Sequence, residues 1–209
     1  MADNATAQET LFALREQIAR LEGKTLPAMA AAEQGALADQ QDDPVQDGRK
    51  RLPFDIAELD EALDGGLLLD AVTEIRSLSM HDAGASSGFI LSLVSGLNAR
   101  QKIEEPLLWI ADGYSAREIG VPYAAGLKQF GIDPHRVFHA SPRKLDDALW
   151  LAEAALASGV FVATILEVHG NPKSFGLTES RRLSLRAKAA GRPLFLLRHA
   201  GEEEASSAS

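Results

Sequence analysis

The residues whose types and spacing could do chemistry lie between His81 and Ile90, in the order His81-Asp82-Ala83-Gly84-Ala85-Ser86-Ser87-Gly88-Phe89-Ile90. They join a β-branched apolar run, Val72 to Ile75, to an amphipathic run, Phe89 to Leu97. A small-residue loop between a strand and a helix is the setting of a phosphate-binding loop. There, glycines let backbone N–H groups converge on an anion at the helix N-terminus. Such a loop also needs a Lys on the β/γ-phosphates and a hydroxyl on magnesium. Aligned on Gly88, the chain offers Ala83 for the first Gly, Phe89 for the Lys and Ile90 for the hydroxyl. Gly84, Ser86, Ser87, Gly88 and Phe89 therefore read as a vestigial phosphate loop. Each missing charge-assisted hydrogen bond is worth about 1.5 to 3 kcal/mol, so the two losses weaken nucleotide binding by roughly two to four orders of magnitude.

The other parts of phosphoryl-transfer chemistry are sparse. Glu167 ends the apolar run Val162-Ala163-Thr164-Ile165-Leu166, where a magnesium-holding acid belongs, and is equally a solvated residue at a strand end. Asp112, after Leu108 to Ala111, is the local candidate for positioning water. His81, His135, His139, His169 and His199 read as loop or strand-end residues. Ser86 and Ser87 lack a G-x-S-x-G elbow, so no nucleophile with its base is expected. There are no cysteines and five scattered histidines, which leaves no metal site and no disulfide to expect. No catalytic residue, cofactor or metal is expected, and the protein is read as not an enzyme.

A different chemistry gathers near the C-terminus. Arg181, Arg182, Arg186, Lys188, Arg192 and Arg198 face one acid, Glu179, between Thr178 and His199. Arg182 and Arg186, spaced i,i+4, share a helix face. The strip of Arg181, Arg182, Arg186, Arg192 and Arg198 is either a solvated face or a contact surface for DNA or an acidic partner. The net charge of −9 argues against a protein that coats nucleic acid, since non-specific binding requires displacement of counterions by basic charge. No aromatic residue interleaves the arginines, which leaves a single-strand stacking platform unsupported.

The elements that must position these groups alternate. Asp55-Ile56-Ala57-Glu58 reads as an Asp-capped helix start stopped by Gly65-Gly66. Strands are expected at 71–76, 107–111, 136–140, 160–168 and 193–198, and helices at 88–100, 123–130, 141–158 and 178–190, with a loop over 78–87. The 141–158 helix would have Ser141 as N-cap and Pro142 at its first position. Continuous apolar strands separated by helices imply an α/β fold with a mainly parallel sheet covered on both faces. Ligands of such sheets bind outside the carboxyl ends of the strands.

Two flanking segments differ. Thr6 to Glu22 is a helix with a capping box, Thr6-Ala7-Gln8-Glu9, and an apolar seam of Leu11, Leu14, Ile18 and Leu21. So short a helix is marginal alone and must bury that seam, on its own domain, on a partner or on a second copy. Residues 24–50 are Ala, Gln, Asp and Gly-rich and read as a flexible linker. The organisation is thus 1–23 docking helix, 24–50 linker, 51–200 globular domain and 201–209 acidic and Ser-rich tail. With 209 residues, 45% hydrophobic and 24% charged, no membrane-length apolar run and no signal-peptide pattern at Met1-Ala2-Asp3-Asn4, a cytoplasmic protein is expected.

The order of these pieces resembles the RecA core and, more closely, the ImuA family of bacterial inducible-mutagenesis proteins, also labelled SulA-like. The likeness rests on Gly65-Gly66, Val72-Thr73-Glu74-Ile75, Ser86-Ser87-Gly88, Leu108-Trp109-Ile110, Phe130-Gly131-Ile132-Asp133-Pro134, Asp147-Ala148-Leu149-Trp150, Leu177 to Leu183 and Gly191 to Arg198. It implies a RecA-like P-loop-type core and departs from RecA at Phe89 and Ile90 and near Gly113, where RecA carries its catalytic Glu. It also implies a role in SOS-induced error-prone translesion synthesis. The implied partners are an ImuB-like inactive Y-family polymerase, an error-prone C-family polymerase and RecA, with DNA met only indirectly or weakly, association with the nucleoid during damage, and self-association among the contacts open to it. A SulA-like division inhibitor and a divergent RecA-like ATPase are the alternatives.

Overall fold

The computed structural model describes residues 48–101 and 105–201. The chain divides into the units Met1–Asp47 and Gly48–Ser209. The expected docking helix with Leu11, Leu14, Ile18 and Leu21, nearly all of the linker, and the tail beyond Gly201 lie outside the described residues.

The second unit opens with an antiparallel ribbon, β1 (Arg51–Leu52) paired with β2 (Leu67–Leu68), enclosing helix α1 (Ala57–Ala62). Asp55 does not cap α1. It sits at φ +59° and pairs with Arg100, while Asp60 accepts the Phe54 N–H at 2.7 Å. Gly66 closes the ribbon at φ +115°, where a Cβ would stand 2.2 Å from the Leu52 carbonyl oxygen. Both strain and collision oppose any side chain there. Gly66→Ala is expected to cost about 1–3 kcal/mol of stability, read as a lowered urea midpoint at unchanged slope.

The main sheet has five strands, all parallel: β3 (Val72–Ser77), β4 (Leu107–Ala111), β5 (Val137–Ala140), β6 (Ala163–His169) and β7 (Leu194–His199), in the order β3-β7-β6-β4-β5. Helices cover both faces, as the alternating pattern predicts. On one face α2 (Ala83–Gln101) and α4 (Ala124–Gln129) pack on Leu107, Trp109, Ile165, Phe195 and Leu197. On the other, α5 (Leu145–Ser158) and α6 (Leu177–Ala190) cover Leu108, Ile110, Leu166, Leu194 and Leu196. Alternate residues of each strand go to opposite faces, and both faces are apolar because both are buried. A short helix, α3 (Ser115–Glu118), follows β4.

Two helix starts differ from expectation. The first concerns the supposed phosphate loop. Two residues after β3, Met80–Asp82 form a 3-10 turn, and α2 begins at once at Ala83. Ser79 bonds the Asp82 carboxylate at 2.9 Å, and the Ser86 hydroxyl bonds back to the Ala83 carbonyl at 3.1 Å. Gly84, Ser86, Ser87, Gly88 and Phe89 are therefore helical, and no loop spans 78–87. The stripe Ile90, Val94 and Leu97, all at 2% exposure or less, anchors the helix on the sheet and carries the weak formers at its start along. The second is α5, which starts at Leu145 rather than at Ser141. Residues Pro142 and Arg143 run against Gly113, and Lys144 is extended, so tertiary contact overrides the Ser-Pro signal.

Candidate functional site

The candidate site lies where a parallel α/β sheet presents its ligands, at the carboxyl ends of the strands. A cavity of about 330 Å³ opens there on the α2 and α4 face. Gly84, Ser87, Gly88 and Leu91 of α2 form one wall, and Gly126, Leu127 and Phe130 the opposite one. The segment 119–123 closes a third side, with Trp109 and Glu167 on the floor. Exposed apolar residues, Phe89, Val121 and Tyr123, stand around this end of the sheet.

Glu167 is not the solvated strand-end residue that its sequence position equally allowed. It is 2% exposed, and its carboxylate is held from both sides. The Trp109 indole donates to Oε2 at 3.0 Å, and His199 Nε2 meets Oε1 at 2.8 Å. On the far side of the imidazole, His199 Nδ1 lies 2.7 Å from the Ser77 hydroxyl, which also reaches the Ser79 carbonyl at 3.0 Å. The register explains the line. Ser77 stands directly opposite His199 on β7, and Glu167 and Trp109 occupy the same sheet face on β6 and β4. A polar relay thus crosses four adjacent strands, Ser77 to His199 to Glu167 to Trp109.

This is an acid, an imidazole and a hydroxyl in sequence, which the linear chain gave no means to assemble. Each of the three is at least nine-tenths buried. Neither Ser77 nor His199 lines the cavity, so the relay offers Glu167 and Trp109, but no nucleophile or base, to anything bound there. A nucleophilic serine has to reach its substrate, and this one faces a carbonyl and an imidazole instead. Its physical effect is to satisfy a buried carboxylate that would otherwise be costly to hold.

The comparisons with known proteins add little. No family model and no curated protein matches the chain. Among solved structures, SulA from Pseudomonas aeruginosa matches at 18% identity and a TM-score of 0.41, over 61% of this chain and 97% of that one. The likeness is too slight to transfer any property. What the structure establishes by itself is the α/β class, a five-stranded parallel sheet flanked by helices.

Of the other sequence candidates, Asp112 has both carboxylate oxygens engaged by backbone N–H groups. Its Oδ1 accepts from Tyr114 N and Ser115 N at 2.9 and 2.7 Å, and its Oδ2 from His169 N at 2.7 Å. It shapes the turn into α3 and ties it to the end of β6. Phe89, at the position of the lysine, is 44% exposed and stacks on Phe54 with ring centroids 6.3 Å apart. Ile90, at the position of the hydroxyl, has no exposure at all. His139 pairs across from Trp109. Partial burial lowers its pKa below the usual imidazole value, with the negative charge of Glu167 pulling the other way.

The five arginines do not form one strip. Arg181, Arg182 and Arg186 belong to α6, where Arg182 pairs with Glu153 of α5. Arg192 lies at the opposite end of the sheet and chelates Glu105 with both terminal nitrogens. Arg198 is 3% exposed, bonded to Glu74 at 2.8 Å and to the Gly170 carbonyl at 3.0 Å, with its guanidinium 5.0 Å from the Phe175 ring centre. β7 lies between β3 and β6 with helices over both faces of the sheet, which is why Arg198 is enclosed rather than on the surface. Among the described residues, no helix is long and apolar enough to cross a membrane.

Proposed function

We propose that the protein is a non-catalytic, RecA-like accessory protein of the ImuA type, working by protein contacts in SOS-induced error-prone translesion synthesis. The observation that carries the reading is the helix over 83–88, where nucleotide chemistry would need an open loop, followed by Phe89 and the fully buried Ile90. A buried isoleucine in the core has no counterpart to a hydroxyl on magnesium, and a helical backbone from Ser87 onward directs its N–H groups along its own axis. The enclosure of Ser77 and His199 argues in the same direction against a hydrolase. The partners proposed from the resemblance are an ImuB-like inactive Y-family polymerase, an error-prone C-family polymerase and RecA. The apolar seam of Leu11, Leu14, Ile18 and Leu21 and the arginines of α6 are the surfaces proposed to meet them, at the nucleoid during DNA damage.

The test is gel filtration of the full chain with each partner. Wild type is expected to co-elute with the ImuB-like polymerase, and the Leu14→Asp, Ile18→Asp double variant to elute alone. If wild type binds neither polymerase nor RecA, the adaptor reading fails. Calorimetric titration with ATP and magnesium is expected to give no micromolar binding, and a clear isotherm would replace the reading with a divergent ATPase. Filamentous cells on overproduction without DNA damage would instead favour a division inhibitor.

A further inference from the structure

We propose that the cavity between α2 and α4 is a binding site for a small amine carrying an apolar ring, with its cationic nitrogen on Glu167. This stands whichever partner the protein serves. The first support is that three helical positions keep the space open. Gly84 and Gly88 lie one turn apart on α2 and Gly126 faces them from α4. None of the three has a positive φ, and none is forced by a close approach. A Cβ at Gly84 would meet nothing within 4 Å, at Gly88 only the Phe130 ring edge at 3.6 Å, and at Gly126 only Tyr123 at 3.9 Å. Glycine is disfavoured inside helices relative to alanine. What its presence here does is leave room beside Leu91, Leu127 and Phe130.

The second support is independent of the glycines. Glu167, the charged residue among the lining of this mainly apolar space, is 2% exposed, and Trp109 and His199 fix its carboxylate in place. Each oxygen has one partner, and a carboxylate offers about four acceptor sites in all. A pre-oriented carboxylate with unused acceptor capacity rejects anions and selects a donor, most strongly a charged one. The rings of Trp109, Tyr123 and Phe130 suit an aromatic body and add cation–π attraction. The volume, about 330 Å³, falls at the lower end of the roughly 300 to 1,000 Å³ of small-molecule sites.

The experiment uses three probes of one shape: 3-phenylpropylamine, butylbenzene and 4-phenylbutanoate. The full chain is labelled with nitrogen-15, and the indole N–H signal of Trp109 is assigned with Trp150→Phe, a change at an exposed position. The amine is expected to shift that signal saturably and to bind at least tenfold more tightly than butylbenzene, with 4-phenylbutanoate weakest. Gly88→Leu fills the cavity and should weaken the amine at least tenfold at unchanged circular dichroism. Should that variant misfold, Gly84→Leu, with open space at its Cβ, decides in its place. Glu167→Gln should erase the preference for the amine over butylbenzene. The proposal is overturned if the acid binds as well as the amine, if no probe shifts Trp109 at millimolar concentration, or if the filled variants bind unchanged.

Discussion

Replacing His199 by Leu is expected to lower the unfolding free energy by about 2–3 kcal/mol, the upper part of the range for leaving a buried acceptor without its hydrogen-bond partner. His199 has no exposure, and its removal leaves the Glu167 carboxylate with the Trp109 indole as its remaining side-chain donor, and Ser77 with the Ser79 carbonyl alone. Leu is close to imidazole in bulk, so the loss reports on polarity rather than on a cavity. The decisive measurement is a double-mutant cycle by urea unfolding. Glu167→Leu with His199→Leu removes both members together and should be less destabilised than the sum of the singles by 1 kcal/mol or more, roughly. Additive costs, or a His199→Leu variant as stable as wild type, would mean that the relay across β3, β7, β6 and β4 is not a coupled unit.

Arg198→Ala is expected to cost about 2–3 kcal/mol, and Arg186→Ala less than about 0.5 kcal/mol. The two residues read alike in the sequence, as members of one basic segment. Arg198 is enclosed by Glu74, the Gly170 carbonyl and the Phe175 ring, whereas Arg186 is exposed on α6. The cost at Arg198 stays below that of a fully stranded charge because Arg76 Nε also donates to Glu74 Oε1 at 2.9 Å. Thermal unfolding of both variants separates the roles. Equal stability of the two would return Arg198 to the surface and revive a single arginine strip.

The α/β class was legible in the sequence because its signal is local. Runs such as Leu107 to Ala111, apolar throughout, and Val162 to Leu166, broken only by Thr164, are of the kind found in strands buried on both faces, and Gly131, Gly159 and Gly191 mark the ends of what precedes them. The caps were less legible. Asp55 and Ser141-Pro142 carry good capping chemistry, yet Asp55 is drawn to Arg100 and the 141–144 segment is held against Gly113, contacts from 45 residues away in the first case. The start of α2 is ambiguous in the sequence for a related reason. Small residues suit a loop and a helix start alike, and the choice fell to the buried stripe of Ile90, Val94 and Leu97 further along α2.

The sequence by itself determined the alternation of strands and helices, the parallel sheet that follows from it, and the absence of the lysine and hydroxyl that a nucleotide needs. Only the tertiary structure decided which polar residues work together. Ser77, Trp109, Glu167 and His199 are spread over more than half the chain, and each reads singly as a residue within or just after a strand. Strand order is what aligns them, since β7 enters between β3 and β6 and sets Ser77 opposite His199. The same order takes Arg198 inside and leaves Arg186 outside. Pattern along the chain reports which face of an element is apolar, whereas neighbours across a parallel sheet are fixed by crossovers that a local pattern does not encode.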